Sequence, residues 1–198
     1  TAYVAVGGLG FPGFLDLILR HSDNPNQGII NAEYPLGGGA YFDVLSYHSY
    51  PHSDGSLRYW SDDAGGFVYL RHSDAAAAGV VNKKIEFEAV LHEYGYNGSV
   101  YPEKHWIITE SNIPRVAFGE YIGSAEAQRN FLIKTLVACQ QANIHQYHLY
   151  TLADSEIEAN ASNEFQVMGL FKKLEGTAPY QQQANPVAIA GRGITKLT

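Results

Sequence analysis

Short runs of alternating or continuous apolar residues take turns along this chain with longer stretches whose apolar positions recur every three to four residues, the signatures of strands and helices respectively. Tyr3 to Val6 predicts a strand that ends in Gly7-Gly8, and Phe14 to Arg20 a short helix. Asn24 to Gly39, rich in Gly, Pro and Asn, predicts loop, with a short strand allowed over Gly28 to Glu33. Phe42 to Tyr47 predicts a second strand, running to His48-Ser49-Tyr50 and stopped by Pro51. A polar, aromatic-bearing loop is expected from Pro51 to Arg71. Ser73 fits an N-cap and Asp74 the first turn of a helix reaching about Tyr94, with Val80, Phe87 and Leu91 on one face and Gly95 to end it. Trp106 to Thr109 predicts a third strand ending at Glu110. Ser124 caps a helix from Ala125 to Ala142, whose stripe is Phe131, Leu132, Thr135, Leu136 and Cys139. Ile144 to Tyr150 predicts a fourth strand, and a last helix is expected around Tyr180 to Ala190, interrupted by Pro186.

This is a succession of four β-then-α units, which argues for an α/β fold with a parallel sheet under helical cover. A closed (β/α)8 barrel takes about 250 residues. The four units in these 198 residues therefore match half of a TIM barrel, with residues 1–198 as one domain. No repeat, low-complexity segment or interdomain linker breaks the pattern.

Composition narrows the function classes. The net charge is −7, from 20 acidic and 13 basic residues, and the basic residues form no run. A nucleic-acid surface needs clustered cations against phosphates, so that class is disfavoured. No apolar run is long enough to span a bilayer, and no signal peptide is visible, which leaves a soluble, secreted or periplasmic setting open. Cys139 is the single cysteine, which excludes an intrachain disulfide and a multi-cysteine metal site; its place on an apolar stripe assigns it to the core. His92-Glu93 lacks the second histidine of a zinc helix and the other histidines are dispersed. No cofactor or metal is implied. Asn97-Gly98-Ser99 and Asn160-Ala161-Ser162 are sequons, relevant only to a eukaryotic secretory route.

In parallel α/β folds ligands meet the C-terminal ends of the strands. Those ends read Gly7-Gly8, His48-Ser49-Tyr50, Thr109-Glu110-Ser111-Asn112 and Tyr150-Thr151-Leu152-Ala153-Asp154. Simple alternation sets Trp106, Ile108 and Glu110 on one face, His48 with Tyr50, and His148 with Tyr150. A carboxylate at a strand end can trap the positive charge of an oxocarbenium-like transition state, so Glu110 is a candidate nucleophile for glycosidic bonds. By position alone it reads first as an exposed loop glutamate, and its neighbours reverse that. His48 reads as a substrate contact or as a structural hydrogen-bonding group, Trp60 as a sugar-stacking ring or a local packing anchor, and Asp154 as an orienting group or a turn cap.

Four motifs, in order, carry a resemblance. Val6-Gly7-Gly8; Phe42-Asp43-Val44-Leu45-Ser46-Tyr47-His48-Ser49-Tyr50-Pro51; Ile107-Ile108-Thr109-Glu110-Ser111-Asn112; and Leu149-Tyr150-Thr151-Leu152-Ala153-Asp154 with Met168-Gly169-Leu170-Phe171 resemble strand ends five to eight of a clan A glycoside hydrolase, nearest to the family 39 β-xylosidase type. The resemblance implies a retaining β-glycoside hydrolase acting on a carbohydrate. Glu110 would be its nucleophile, Tyr50 would hydrogen-bond that carboxylate, and His48, Tyr50, Tyr150, Trp60 and Asn112 would be its substrate-binding residues. Two positions depart from the pattern: Ser111 stands where an aromatic residue often follows the nucleophile, and Tyr150 where Trp is frequent. The family's acid/base glutamate belongs to a fourth strand, which would precede Thr1. Glu33, Glu120, Glu156, Glu158 and Glu164 are not at a matching place. The chain then reads as a fragment, one piece of a split enzyme, or a domain without catalysis, with its missing N-terminal half or a second copy as its expected partner.

Two readings from other classes compete. Val4-Ala5-Val6 followed by Gly8-Leu9-Gly10-Phe11-Pro12-Gly13, with Glu33 further on, matches a dinucleotide-binding fingerprint of an NAD(P)-dependent oxidoreductase. Pro12 removes an N–H where phosphate donors are needed, and the interval to Glu33 is long. A non-catalytic carbohydrate-binding half-barrel would show much the same sequence, because a fold does not fix an activity.

Overall fold

A computed structural model describes residues 2–118, 123–176, 178 and 181–194. Its centre is a parallel sheet of three strands, β1 (Val44–Ser49), β4 (His105–Ser111) and β5 (Ile144–Leu149), with β4 in the middle. Residues 4–9 run alongside β1 in the same direction, held by bridges Ala5–Val44 and Leu9–Tyr47 and by hydrogen bonds such as Val6 N to Val44 O at 3.0 Å. The expected first strand is therefore a bridged track and not a continuous ladder. Gly7 and Gly8 explain this, because strand-interior glycines offer no side chain to pack and cost backbone entropy. Spatial order follows chain order, as expected for successive βα units.

Helices cover one face. α2 (Ser73–Glu93) links β1 to β4 and α3 (Ala125–Gln141) links β4 to β5; α3 packs on α2 and on α4 (Pro186–Ile194). α2 buries Val80, Phe87 and Leu91, and α3 buries Phe131, Leu132, Thr135 and Cys139, the stripes their periodicity predicts, except that Leu136 is only half-buried. Ser124 caps α3 by accepting from Ala127 N. α2 is capped by His72, not Ser73: the His72 ring accepts from Ala75 N, and Ser73 Oγ instead accepts from Lys134 Nζ at 2.9 Å. Gly95, at φ +88°, follows the end of α2 in the left-handed conformation that terminates helices. Pro186 opens α4, where its missing N–H costs nothing, so the helix lies downstream of the interval expected from the sequence; Tyr180 lies outside the described residues. α1 (Pro12–Leu17) continues into one π-turn over Ile18–Ser22. Gly28 to Glu33 forms no strand.

The core joins Tyr47, Leu45, Trp106, Ile108 and Ile144 of the sheet to Phe87, Leu91, Phe131 and Cys139 of the helices. Burial pushes the Cys139 thiol up to about 12, an inert packing group. The segment expected as loop from Pro51 to Arg71 contains an antiparallel hairpin, β2 (Arg58–Ser61) and β3 (Gly66–Tyr69). Its strands are aromatic-rich and its turn ends on Gly65 at φ +62°, chemistry that a tight turn requires. No helix among the described residues is long and apolar enough to cross a membrane.

Candidate active site

β1 and β4 keep a plain parallel register from Val44–His105 to Tyr47–Ile108, then slip: His48 pairs with Glu110 and leaves Thr109 unmatched. This β-bulge changes which side chains share a face. Trp106 and Ile108 point to the helical layer, where Trp106 meets Tyr47 edge-on at 6.3 Å and Ile108 is fully buried. Glu110, one residue out of phase, joins His48 on the opposite face. Simple alternation, which groups Glu110 with Trp106 and Ile108, is thus corrected by the extra residue; bulges beside functional sites commonly re-aim a side chain in this way. Thr109 Oγ1 donates to Tyr47 O at 3.3 Å across the bulge.

Around Glu110 two side chains from the end of β1 converge. Tyr50 Oη donates to Glu110 Oε2 at 2.8 Å, and His48 Nδ1 lies 3.4 Å from the same oxygen. Burial, then the hydrogen bond to Glu110 and its charge, push the Tyr50 phenol well above its ordinary range, so Tyr50 stays a neutral donor. The Glu110 side chain keeps 39% of its surface exposed, open to a ligand at the strand ends. Tyr150 meets Tyr50 edge-on at 5.9 Å, and Phe165 meets Tyr50 at 5.0 Å and Tyr150 at 6.3 Å. The three rings form one aromatic wall beside the carboxylate. The peptide bond between Tyr150 and Thr151 is cis.

Asn112 does not reach this mouth. It is fully buried, its Nδ2 donates to Tyr150 O and to Met168 O (2.7 Å for the latter), and its Oδ1 accepts from Ile113 N at 2.8 Å. Its amide clamps the backbone that carries Tyr150, so it positions a wall residue and has no donor left for a sugar. Trp60 stands on β2, where Nε1 donates to Asp62 Oδ1 at 2.9 Å and the indole meets Phe67 at 5.5 Å. His148 is exposed beside Gln146 and is not brought to Glu110. Ser111, in the position where an aromatic was expected, is fully buried opposite Ser49 in the register.

The other carboxylates are engaged elsewhere. Glu164 accepts from Ser53 Oγ at 3.1 Å, Glu156 pairs with Lys173 at 3.1 Å, and Glu158 pairs with Arg115. Glu33 lies in the turn after Asn31, which removes the acidic strand end that a dinucleotide site needs; Glu120 lies outside the described residues. Asp154 is buried, pairs with Arg115 at 2.6 Å and accepts from Gly169 N at 2.7 Å, which ties the Met168-Gly169 turn to the strand end. A cavity of about 440 Å³ opens at the other end of the sheet, lined by Tyr96, Tyr101, Asp43 and His105 among others, away from Glu110.

Gly8 was legible only as a strand end, yet it sets the position of His48. A Cβ there would lie 2.0 Å from His48 Nε2 and 2.7 Å from Thr109 Oγ1. Gly8→Ala is therefore expected to cost about 1–3 kcal/mol through overpacking and to move His48 away from Glu110. Urea unfolding together with the His48 ring resonances checks this; an unshifted ring in a stable variant would refute it.

No family profile matches the chain, and no curated protein sequence matches it. Solved structures do. A β-1,3-glucanosyltransferase from Rhizomucor miehei aligns with 70% of this chain and 42% of its own at 17% identity and a TM-score of 0.45. An endo-laminarinase from Formosa aligns over 66% and 36%, at 18% identity and a TM-score of 0.44. A β-D-glucuronidase from Dictyoglomus thermophilum aligns over 87% and 25%, at 12% identity and a TM-score of 0.47. The chain spans less than half the length of each of these neighbours.

Proposed function

We propose that this chain is the C-terminal half of a (β/α)8 barrel and supplies the nucleophile of a retaining β-glycoside hydrolase. The observation that carries the reading is the convergence of His48 and Tyr50 on one oxygen of a strand-end carboxylate, Glu110, beside an aromatic wall. Tyr50 holds Oε2, with His48 Nδ1 3.4 Å from it, which leaves Oε1 to approach an anomeric carbon. Attack there forms a glycosyl–Glu110 ester as the glycosidic C–O bond breaks. The leaving oxygen takes a proton from a partner carboxylic acid. Water then attacks the same carbon, the partner recovers a proton, and Glu110 is released. The partner belongs about 5–5.5 Å from Glu110, the spacing of a retaining mechanism. Its place is on a fourth strand of a preceding barrel half, by the resemblance of the strand-end motifs. Tyr150 and Phe165 supply the wall against which a pyranose ring packs.

A mechanism-based fluoro-sugar that traps the covalent intermediate, followed by peptide mapping, tests this directly. Label on the peptide that contains Glu110 is the expected result, and label elsewhere ends the reading.

The same proposal implies a partner. Among the described residues β5 pairs only with β4, and the track over residues 4–9 pairs only with β1, so both sides of the sheet present free edges. Tyr3, at the outer track, is 70% exposed. Open edges template pairing. On its own the chain is expected to associate, with its N-terminal half or with a second copy. Light scattering that shows a stable monomer at micromolar dilution would contradict this.

A further inference from the structure

The hairpin β2–β3 is not explained by folding. Among the described residues it packs no second sheet, and an isolated two-stranded hairpin is marginal in water. Yet one face collects Arg58, Trp60, Phe67 and Tyr69, because directly opposed residues of an antiparallel pair share a face: Arg58 opposes Tyr69 and Trp60 opposes Phe67. Trp60 is 58% exposed and Phe67 53%. Their orientation is fixed. The Trp60 and Phe67 rings meet at 89°, Asp62 holds the indole N–H, Arg58 lies 4.8 Å over Phe67 and Arg71 lies 3.7 Å over Tyr69. The base is tied down by Leu70 N to Leu57 O at 2.7 Å and by Arg71 Nε to His52 O at 3.1 Å. That root lies a few residues after Tyr50, the group bonded to Glu110, so the platform rises from the same end of the sheet as the carboxylate.

We infer that this hairpin face is a remote subsite for a neutral β-linked polysaccharide chain whose scissile bond lies at Glu110. The inference rests on the glycosidase reading and adds the substrate class: a polymer, not a short glycoside. A pyranose offers an apolar C–H face and a rim of hydroxyls. Pre-oriented aromatic rings bordered by guanidinium donors and the Asp62 carboxylate complement both. A polyanion is disfavoured by Asp62 and Asp63 at the tip and by the chain's net charge of −7.

The test uses the protein with both barrel halves, and reads binding and turnover separately. Binding of xylohexaose and xylobiose, and of the cellulose-derived pair, is measured by calorimetry, with retardation in gels holding soluble xylan or mixed-linkage β-glucan. The hexamer is expected to bind at least about tenfold tighter than the dimer. Trp60→Ala and Phe67→Ala should collapse that ratio towards one, and Trp60→Phe should restore most of it, with melting curves showing that the variants fold. A ratio that survives both alanine variants, or no preference for the longer chain in the parent protein, overturns the subsite. Turnover of an aryl glycoside, with and without Glu110→Gln, reports on Glu110 independently. Gel retardation lost in Trp60→Ala while turnover ignores Glu110→Gln would keep the platform and sink the glycosidase reading. The opposite pattern would sink the platform alone.

Discussion

Glu110→Gln is expected to lower turnover of an aryl β-glycoside by about three orders of magnitude or more while leaving sugar binding in place. The substitution keeps the shape of the side chain and the hydrogen-bonding distance to Tyr50, but it removes the charge that attacks the anomeric carbon; losing a nucleophile acts on the transition state and hardly on the ground state. The assay belongs on protein that carries both barrel halves, since the proposed acid/base lies on the other one. Tyr50→Phe is the calibrating variant. It deletes one hydrogen bond to a charged group, worth about 1.5–3 kcal/mol, and so should cost roughly ten- to a hundred-fold. If Glu110→Gln were as active as the parent, or milder than Tyr50→Phe, Glu110 would not be the nucleophile.

The largest stability effect is expected at Asp154. Its side chain is almost wholly buried, and its two oxygens hold three groups: Arg115 at 2.6 Å, Gly169 N at 2.7 Å and Asn185 Nδ2 at 3.4 Å. Asn185 in turn donates to Gly169 O at 2.8 Å, so one carboxylate closes the junction of three loops. Asp154→Ala would leave the buried Arg115 guanidinium with Glu158, whose own side chain is half exposed. Breaking one partner of a buried pair costs about 3–5 kcal/mol, which for a chain of this size is roughly a 10 °C fall in Tm. Replacing both charges, with Asp154→Leu and Arg115→Met together, should cost less than Asp154→Ala alone, because no unpaired charge stays behind. Urea unfolding of the three proteins decides; a loss below about 1 kcal/mol for Asp154→Ala would show that the network is not stabilising.

The long helices were legible because several local signals agree. α3 has a serine cap, a first-turn Glu126 and a period-3.6 stripe, and α2 ends where Gly95 can take a left-handed φ. The parallel strands were legible from their apolar runs and intervening helices. The hairpin is hard to read from the sequence because Arg-Tyr-Trp-Ser and Gly-Phe-Val-Tyr are too short to outweigh the Asp, Ser and Gly around them. Asn112 belongs to the motif that carries the resemblance, but it faces inward, since the Tyr150 and Met168 carbonyls need a donor. Tyr50, His48 and Tyr150 were legible as neighbours of Glu110 because they lie at strand ends as Glu110 does. Phe165 was not, since nothing local links a one-turn helix over Glu164–Val167 to a strand over a hundred residues upstream. A bulge leaves no mark in composition either: Thr109 looks like any strand residue, and only its partner strand reveals that it is surplus.

That surplus residue separates two clocks within β4. Up to Ile108 the strand keeps time with the core, and every second side chain must suit Tyr47 and the helices. From Glu110 onward it keeps time with the mouth. The two beats are offset by one, so hydrophobic positions before Thr109 can drift among Val, Ile, Leu and Trp without turning the carboxylate, and the carboxylate can be exchanged without disturbing the core. What the strand cannot lose while it keeps Thr109 is the bulge. Closing the bulge with Thr109 still present, so that Thr109 pairs with His48, would turn Glu110 towards Tyr47 and Phe87 and bury its charge in the core. Chains descended from this one can therefore be expected to tolerate hydrophobic substitution along β4 far more readily than a change that closes the bulge at Thr109.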